Sequence, residues 1–317
     1  MLLLLLLIIV GFLLLIKGAD WMVNGASALA KKNNISDLAI GLTIVAFGTS
    51  APEMVVNIIA SFANHSDIVF GNVIGSNNFN LFIVLGIVGL IFPITVQSTT
   101  VWKEIPISFV AVLVLFILAN DFLFQESNIL SRADGSILFV LFCLFLFYVY
   151  KQLKNDIPKT TLSKENLSNI KIWGLIVIGL TGLIIGGKLV VNSAIEIATE
   201  FGISEKIIGL TIVAAGTSLP ELVTSVVAAF KKNSDIAIGN IIGSNIFNIF
   251  FILSLSAFVN PIEYSIDFNS DIYLLGAGTL FLFVAMFTGK KKKLDRWEAG
   301  ILLVVFIIYT IKLIGYE

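Results

Sequence analysis

IGLTIVAFGTSAPEMVVNIIASFANHSDIVFGNVIGSNNFNLF, residues 40–82, returns at 208–250 as IGLTIVAAGTSLPELVTSVVAAFKKNSDIAIGNIIGSNIFNIF. At a constant offset of 168 and with no gap, 27 of the 43 positions are identical. Shared greasiness produces scattered matches between any two membrane helices, but not a gapless register that holds Pro, Glu, Asp and Asn, so the blocks are copies. The same offset reaches upstream, pairing Gly18 with Gly186, Val23 with Val191, Asn24 with Asn192 and Ala26 with Ala194. Asp20 and Lys188 also fall on equivalent positions with opposite charge. A structural ion pair or an interfacial place is the expectation for them.

The copies lie in a chain built for lipid. Of 317 residues 57% are hydrophobic and 13% charged, and the mean hydropathy of +1.00 leaves too little polar surface to cover a soluble domain. A helix needs about 20 apolar residues to cross a bilayer. Ten such segments are predicted, at 2–30, 36–63, 67–92, 102–120, 132–151, 171–199, 204–230, 235–259, 270–288 and 294–314. The runs are too long and too uniformly apolar for the alternating strands of a membrane barrel. The opening MLLLLLLIIV has no basic residue before it and outruns a signal core, which favours a first membrane helix over a cleaved leader.

Fifteen of the twenty basic residues fall in or beside the connections after odd-numbered segments, among them Lys31, Lys32, Lys231, Lys232 and the run Lys290–Lys293. The positive-inside rule then makes those connections cytoplasmic and puts both termini outside. Each half carries five segments, 1–151 and 171–317, joined by a short polar linker at 152–170. Five is odd, so like halves enter the membrane in opposite directions. An inverted repeat of this kind belongs to secondary transporters, with the site near the midplane where the halves meet. Segments one and six, at roughly 30 residues and 1.5 Å each, exceed a bilayer core of about 30 Å. They are expected to tilt or protrude, and to be the parts that move.

GTSAPE at 48–53 and GTSLPE at 216–221 put an acid and a helix breaker in mid-membrane. Pro52 and Pro220 lack an amide hydrogen and crowd the carbonyls of Gly48 and Gly216, so each helix is expected to kink or break, freeing carbonyls near 46–48 and 214–216. Thr49, Ser50 and Glu53 are spaced to share one helical face, as are Ser76 and Asn80, and Ser244 and Asn248. Two carboxylates, hydroxyls, amides and free carbonyls make an all-oxygen site suited to hard cations. Each acid at mid-membrane costs about 2.5–3.5 kcal/mol on insertion scales. Glu53 and Glu221 together balance one Ca²⁺ or two Na⁺. The pairs Gly71/Gly75 and Gly239/Gly243 are expected to let helices approach closely. Asn57, Asn72, Asn77, Asn240 and Asn245 could reach ions; spacing alone leaves that open.

The paired GTSxPE and GNxxGSN blocks resemble the two alpha repeats of the sodium/calcium exchanger family, within the cation/calcium antiporters. The resemblance implies exchange of several Na⁺, typically three, for one Ca²⁺ by alternating access, with segments one and six sliding over the core. It implies a Ca²⁺ site of Glu53, Glu221 and main-chain oxygens at or near Thr49 and Thr217. For Na⁺ it implies Ser50, Ser76, Ser218, Ser244 and the carbonyls of Ala46 and Ala214, with Asn80 and Asn248 lining the centre. Asn248 stands where potassium-dependent members carry Asp, which weakens the case for K⁺ transport.

The expected partners are therefore Ca²⁺, Na⁺ and the lipid bilayer of a plasma membrane, with no cofactor, nucleic acid or obligate protein partner. A proton-coupled Ca²⁺ antiporter and a passive cation channel are the alternatives. An enzyme is disfavoured: Ser50 and Ser218 have no histidine base, since the single histidine is His65 in a polar turn. The single cysteine, Cys143, is expected to pack or to face lipid.

Overall fold

In hydrocarbon a helix satisfies every amide within its own segment, and the apolar tracts take that option. The computed structural model describes residues 2–120, 128–155, 167–201, 214–289 and 292–315. Among the described residues seven helices are long and apolar enough to cross a membrane: α1 (Leu2–Asn33), α4 (Ser66–Ile91), α5 (Thr100–Ala119), α6 (Arg132–Gln152), α7 (Asn169–Ile197), α10 (Ser234–Val259) and α11 (Ile266–Ala285). Between α1 and α4, α2 (Asp37–Thr49) and α3 (Ala51–Phe62) form a broken span bent by 47°. In the second half, α8 (Ala214–Thr217) and α9 (Leu219–Phe230) repeat that break, and α12 (Arg296–Gly315) closes the chain. The first part of expected segment seven, and most of the expected linker with Lys159 and Lys164, lie outside the described residues.

The offset of 168 reappears in the geometry. α4 and α10 each carry a widened π turn, at Phe79–Val84 and Phe247–Ile252. Asn64 and Lys232 both take a left-handed φ, 59° and 58°, in the turns after α3 and α9. Two short antiparallel ladders tie connections together: β1 (Ile94–Thr95) with β4 (Lys293–Leu294), and β2 (Ile129–Leu130) with β3 (Ile262–Glu263). Arg132 donates to the Val259 carbonyl at 3.5 Å and Arg296 to the Ile91 carbonyl at 3.4 Å.

The long helices α1 and α7 pack antiparallel along a glycine seam. A Cβ added at Gly18 would sit 2.7 Å from the Gly179 carbonyl oxygen, and one at Gly186 would sit 2.7 Å from that of Gly11. Such backbone contact requires the absent side chain. The outer sides of the pair, with Leu3, Ile9, Leu13, Ile16, Val177 and Ile178, are exposed, as a lipid-facing surface would be. Inside, α10 is almost wholly buried. A Cβ at Gly239 would meet the Leu38 carbonyl at 2.9 Å, and one at Gly243 would meet Ala46 Cβ at 2.7 Å, so this pair lets α10 approach α2. The mirror neighbours of Gly71 and Gly75 fall among residues 206–214, nearly all outside the described residues.

Candidate cation site

The site begins at the two breaks. Ser50, with φ −81° and ψ 7°, and Ser218, with φ −89° and ψ 7°, each end one helix and start the next. Pro52 and Pro220 then occupy the first turns of α3 and α9, where a missing amide hydrogen does least harm. The expected break is present in both halves. The Ala46 carbonyl, expected among the freed ones, instead accepts the Ser50 amide at 3.0 Å and keeps its helical bond. One helical turn of α2 survives up to the break, because Ser50 still has an N–H to give. The Thr49 hydroxyl also lies within reach of the Ala46 carbonyl, at 3.3 Å, although it stands closer to Asn240 Oδ1, at 2.9 Å.

Glu53 and Glu221 follow the prolines, and both are fully buried. Their neighbours come from both halves. Ser50 donates to Glu221 Oε1 at 2.9 Å, and Ser218 donates to Glu53 Oε1 at 3.0 Å. Ser76 reaches Glu53 Oε1 at 3.5 Å and Ser244 reaches Glu221 Oε1 at 3.4 Å. Each carboxylate thus receives one hydroxyl from its own half and one from the other. The placing of Ser50 on one helical face with Thr49 and Glu53 is corrected here. The break takes Ser50 out of the helix, and its hydroxyl crosses to the opposite acid.

The second oxygens of both acids, Glu53 Oε2 and Glu221 Oε2, are buried without a hydrogen-bond partner, as are Asn80 Oδ1 and Asn248 Oδ1. All four are acceptors, and leaving an acceptor unpaired in a buried place costs about 1–3 kcal/mol, more for a charged group. A dehydrated cation supplies what an unpaired oxygen of this kind lacks. Asn80 and Asn248 are fixed by their amide ends: Asn80 donates to Asn245 Oδ1 at 3.3 Å and Asn248 to Asn77 Oδ1 at 2.9 Å. Asn77 and Asn245 donate in turn to each other's carbonyl, at 3.2 and 3.4 Å.

Asn72 and Asn240, left open by spacing, are braces. Thr49 donates to Asn240 Oδ1 at 2.9 Å, and Asn240 Nδ2 lies 3.3 Å from the Glu221 carbonyl and 2.9 Å from Ser225 Oγ. In the mirror set Thr217 donates to Asn72 Oδ1 at 3.3 Å, and Asn72 Nδ2 reaches the Glu53 carbonyl at 3.4 Å and Asn57 Oδ1 at 2.8 Å. Each amide ties the break of one half to the glutamate helix of the other. Of the expected ligands, Thr49, Ser50, Glu53, Ser76, Thr217, Ser218, Glu221 and Ser244 join this network, and Asn80 and Asn248 stand on the facing π turns. Ala214 is the first described residue of α8.

No group of three or more His, Cys, Asp or Glu side chains that could hold a metal occurs among the described residues. The chemistry available is therefore that of two carboxylates with neutral oxygens, a hard-cation set. Of the other buried acids, Glu298 accepts from Thr288 and from the Asp295 amide, while Glu104, which has no second acid in its network, accepts from Tyr148 at Oε1 and keeps Oε2 without a partner. Asp20 does form an ion pair, but with Lys231 at 2.6 Å, a partner that no local pattern announces. Cys143 is exposed on α6, and His65 precedes α4 in a surface turn.

Comparison with known proteins adds three findings. A family model described as sodium/calcium exchanger protein matches residues 3–151 and 171–315. The sodium/calcium exchanger MaX1 of Methanosarcina acetivorans is 32% identical over 349 residues, covering 97% of each chain, and the inner membrane protein YrbG of Escherichia coli is 38% identical over 277, covering 83% of each. A solved structure of the sodium-calcium exchanger NCX_Mj, soaked with Na⁺ and Ca²⁺, superposes with a TM-score of 0.83 at 32% identity and covers 98% of both chains.

Proposed function

The chain belongs to the sodium/calcium exchanger family, multi-pass membrane transporters and not enzymes, and from that premise we propose that it exchanges three Na⁺ for one Ca²⁺ by alternating access. The observation that carries this reading is the set of four buried, unpartnered oxygens, Glu53 Oε2, Glu221 Oε2, Asn80 Oδ1 and Asn248 Oδ1. In the proposed cycle Ca²⁺ takes both carboxylates and the main-chain oxygens at Thr49 and Thr217. Na⁺ ions take the hydroxyls of Ser50, Ser76, Ser218 and Ser244 and the carbonyls of Ala46 and Ala214. Two negative charges neutralise one Ca²⁺, and three Na⁺ leave one net positive charge, so exchange moves charge across the membrane. With neutral Asn248 and Asn80 at the centre, K⁺ has no carboxylate of its own to balance it.

We read the chain as ten crossings in two inverted halves, 1–151 and 171–317, with the lysine-rich connections in the cytoplasm and both termini outside a plasma membrane. The ladders support this parity. β1 and β4 follow the third and ninth expected segments, and β2 and β3 follow the fourth and eighth, so each ladder joins connections on one face.

Proteoliposomes loaded with Na⁺ test the coupling. Ca²⁺ uptake should begin when external Na⁺ is removed and stop when the gradient is collapsed. Uptake driven by a pH gradient in Na⁺-free buffer would replace this reading with proton coupling, and single-channel currents would replace it with a passive pore.

A further inference from the structure

Matched as the halves are around the glutamates, they differ where α1 and α7 meet the ends of the inner helices. On α1, Asp20, Asn24 and Ser27 stand at helical spacings of four and three, on one face. All three reach the turn between α9 and α10. Lys231 Nζ lies 2.6 Å from Asp20 Oδ1, and donates to the Asp20 carbonyl at 3.1 Å and to Asn24 Oδ1 at 2.6 Å. Asn233 Nδ2 donates to Ser27 Oγ at 3.2 Å and to Asp37 Oδ2, at the start of α2, at 3.0 Å. The turn itself is closed by the Asn233 amide on the Ala228 carbonyl at 2.9 Å. Asn24, Ser27, Asp37, Lys231 and Asn233 line a basin of about 970 Å³, with Asp20 just outside its lining.

The mirror turn, after α3, has the same backbone: the His65 amide donates to the Ala60 carbonyl at 2.9 Å, and Asn64 repeats the left-handed φ of Lys232. Its chemistry is different. At the offset of 168, Lys231 becomes Ala63, Asn233 becomes His65, Asp20 becomes Lys188 and Ser27 becomes Ile195. The cation has become a methyl group, the acid a lysine and the hydroxyl an alkyl chain. The pair cannot form there.

We infer that Asp20, Asn24 and Ser27 with Lys231 and Asn233 make a one-sided latch, which holds α1 to the lysine-bearing end of the inner bundle and favours the conformer open on the opposite face. The inference rests on the alternating-access reading above. Two conformers related by the internal two-fold would be equal in energy if the halves were identical. A contact available to one of them adds its free energy to that conformer alone. For a partly exposed ion pair with added hydrogen bonds, that amounts to about a threefold to tenfold bias in population.

The test needs no ion gradient, so it is read separately from exchange. Val23 is buried and lines the basin beside the latch. In a full-length Cys143→Ser chain, Val23→Cys reports opening through its rate of labelling by a membrane-impermeant maleimide. Asp20→Asn and Lys231→Met should each speed labelling about threefold or more, and the exchanged pair Asp20→Lys with Lys231→Asp should slow it again. A second variant leaves the latch intact: Lys188→Asp with Ala63→Lys builds its counterpart on the other turn, and should also speed labelling at Val23→Cys. Unchanged rates in the single variants, an exchanged pair as fast as the singles, or no response to the built counterpart would each overturn the inference.

Discussion

Glu53→Gln isolates charge from shape. Glutamine fills the same volume, and its carbonyl oxygen can still accept from Ser218, 3.0 Å from the native Oε1, and from Ser76 at 3.5 Å. What disappears is one of the two charges facing the ion. At about 2.4 Å and an effective dielectric of about 20, the gross attraction between one carboxylate and Ca²⁺ is on the order of 14 kcal/mol. Most of that is returned, because the buried carboxylate no longer has to be desolvated. Removing one member of a buried charge pair leaves a net loss of about 3–5 kcal/mol, which is two to four decades in affinity. The carboxylate's gross attraction for Na⁺ is half as large, so Na⁺ binding should fall by less. Calorimetric titration of purified protein with each ion, beside radiocalcium uptake into Na⁺-loaded vesicles, measures both. Should Glu53→Gln bind Ca²⁺ within about tenfold of the parent and still exchange, the two acids are not the pair that holds the ion.

Other outcomes follow from the same geometry. Ser50→Ala and Ser218→Ala remove mirror-related donors at 2.9 and 3.0 Å to charged acceptors, so each should cost about 1.5–3 kcal/mol and lower exchange by one to two decades. A difference between them above tenfold would deny their equivalence. Asn248→Asp adds a third charge beside two carboxylates and should make exchange depend on K⁺ or on pH, read as a shift in reversal potential; an unaltered potential across both titrations would place residue 248 outside the ion path. Gly18→Val puts a branched side chain where even a Cβ would be 2.7 Å from the Gly179 carbonyl, an overpacking worth about 1–3 kcal/mol that should lower Tm in detergent. Cys143 is exposed on α6, so a lipid-soluble maleimide should label it faster than a charged one, and Cys143→Ser should leave exchange intact.

The repeat, the prolines and the acids were legible because each is a local pattern with a local cost: a polar residue in an apolar run must have a reason to stay. The partner of Ser50 was not. A helical-face argument assumes a continuous helix, and Pro52 is what ends that continuity, so the hydroxyl goes to Glu221, 171 residues away, and not to Glu53. The braces Asn72 and Asn240 were hidden for a similar reason. Their acceptor ends serve threonines 145 and 191 residues distant, and only the meeting of the halves brings those together. Asn80 and Asn248 were expected to line the centre from the family resemblance alone, and the π turns that carry them are invisible to a 3.6-residue periodicity.

The glycine seam has a mechanical corollary. Two helices in backbone contact from Gly11 to Gly25 leave no room there for an acyl chain to wedge between them, so the surrounding lipid meets α1 and α7 as a single stiff plank. At 32 residues α1 runs about 48 Å, well beyond a hydrocarbon layer of about 30 Å, and mismatch must be taken up by tilt of the whole plank. Acyl-chain length thereby becomes a mechanical load on the helix pair that the proposed cycle sets in motion.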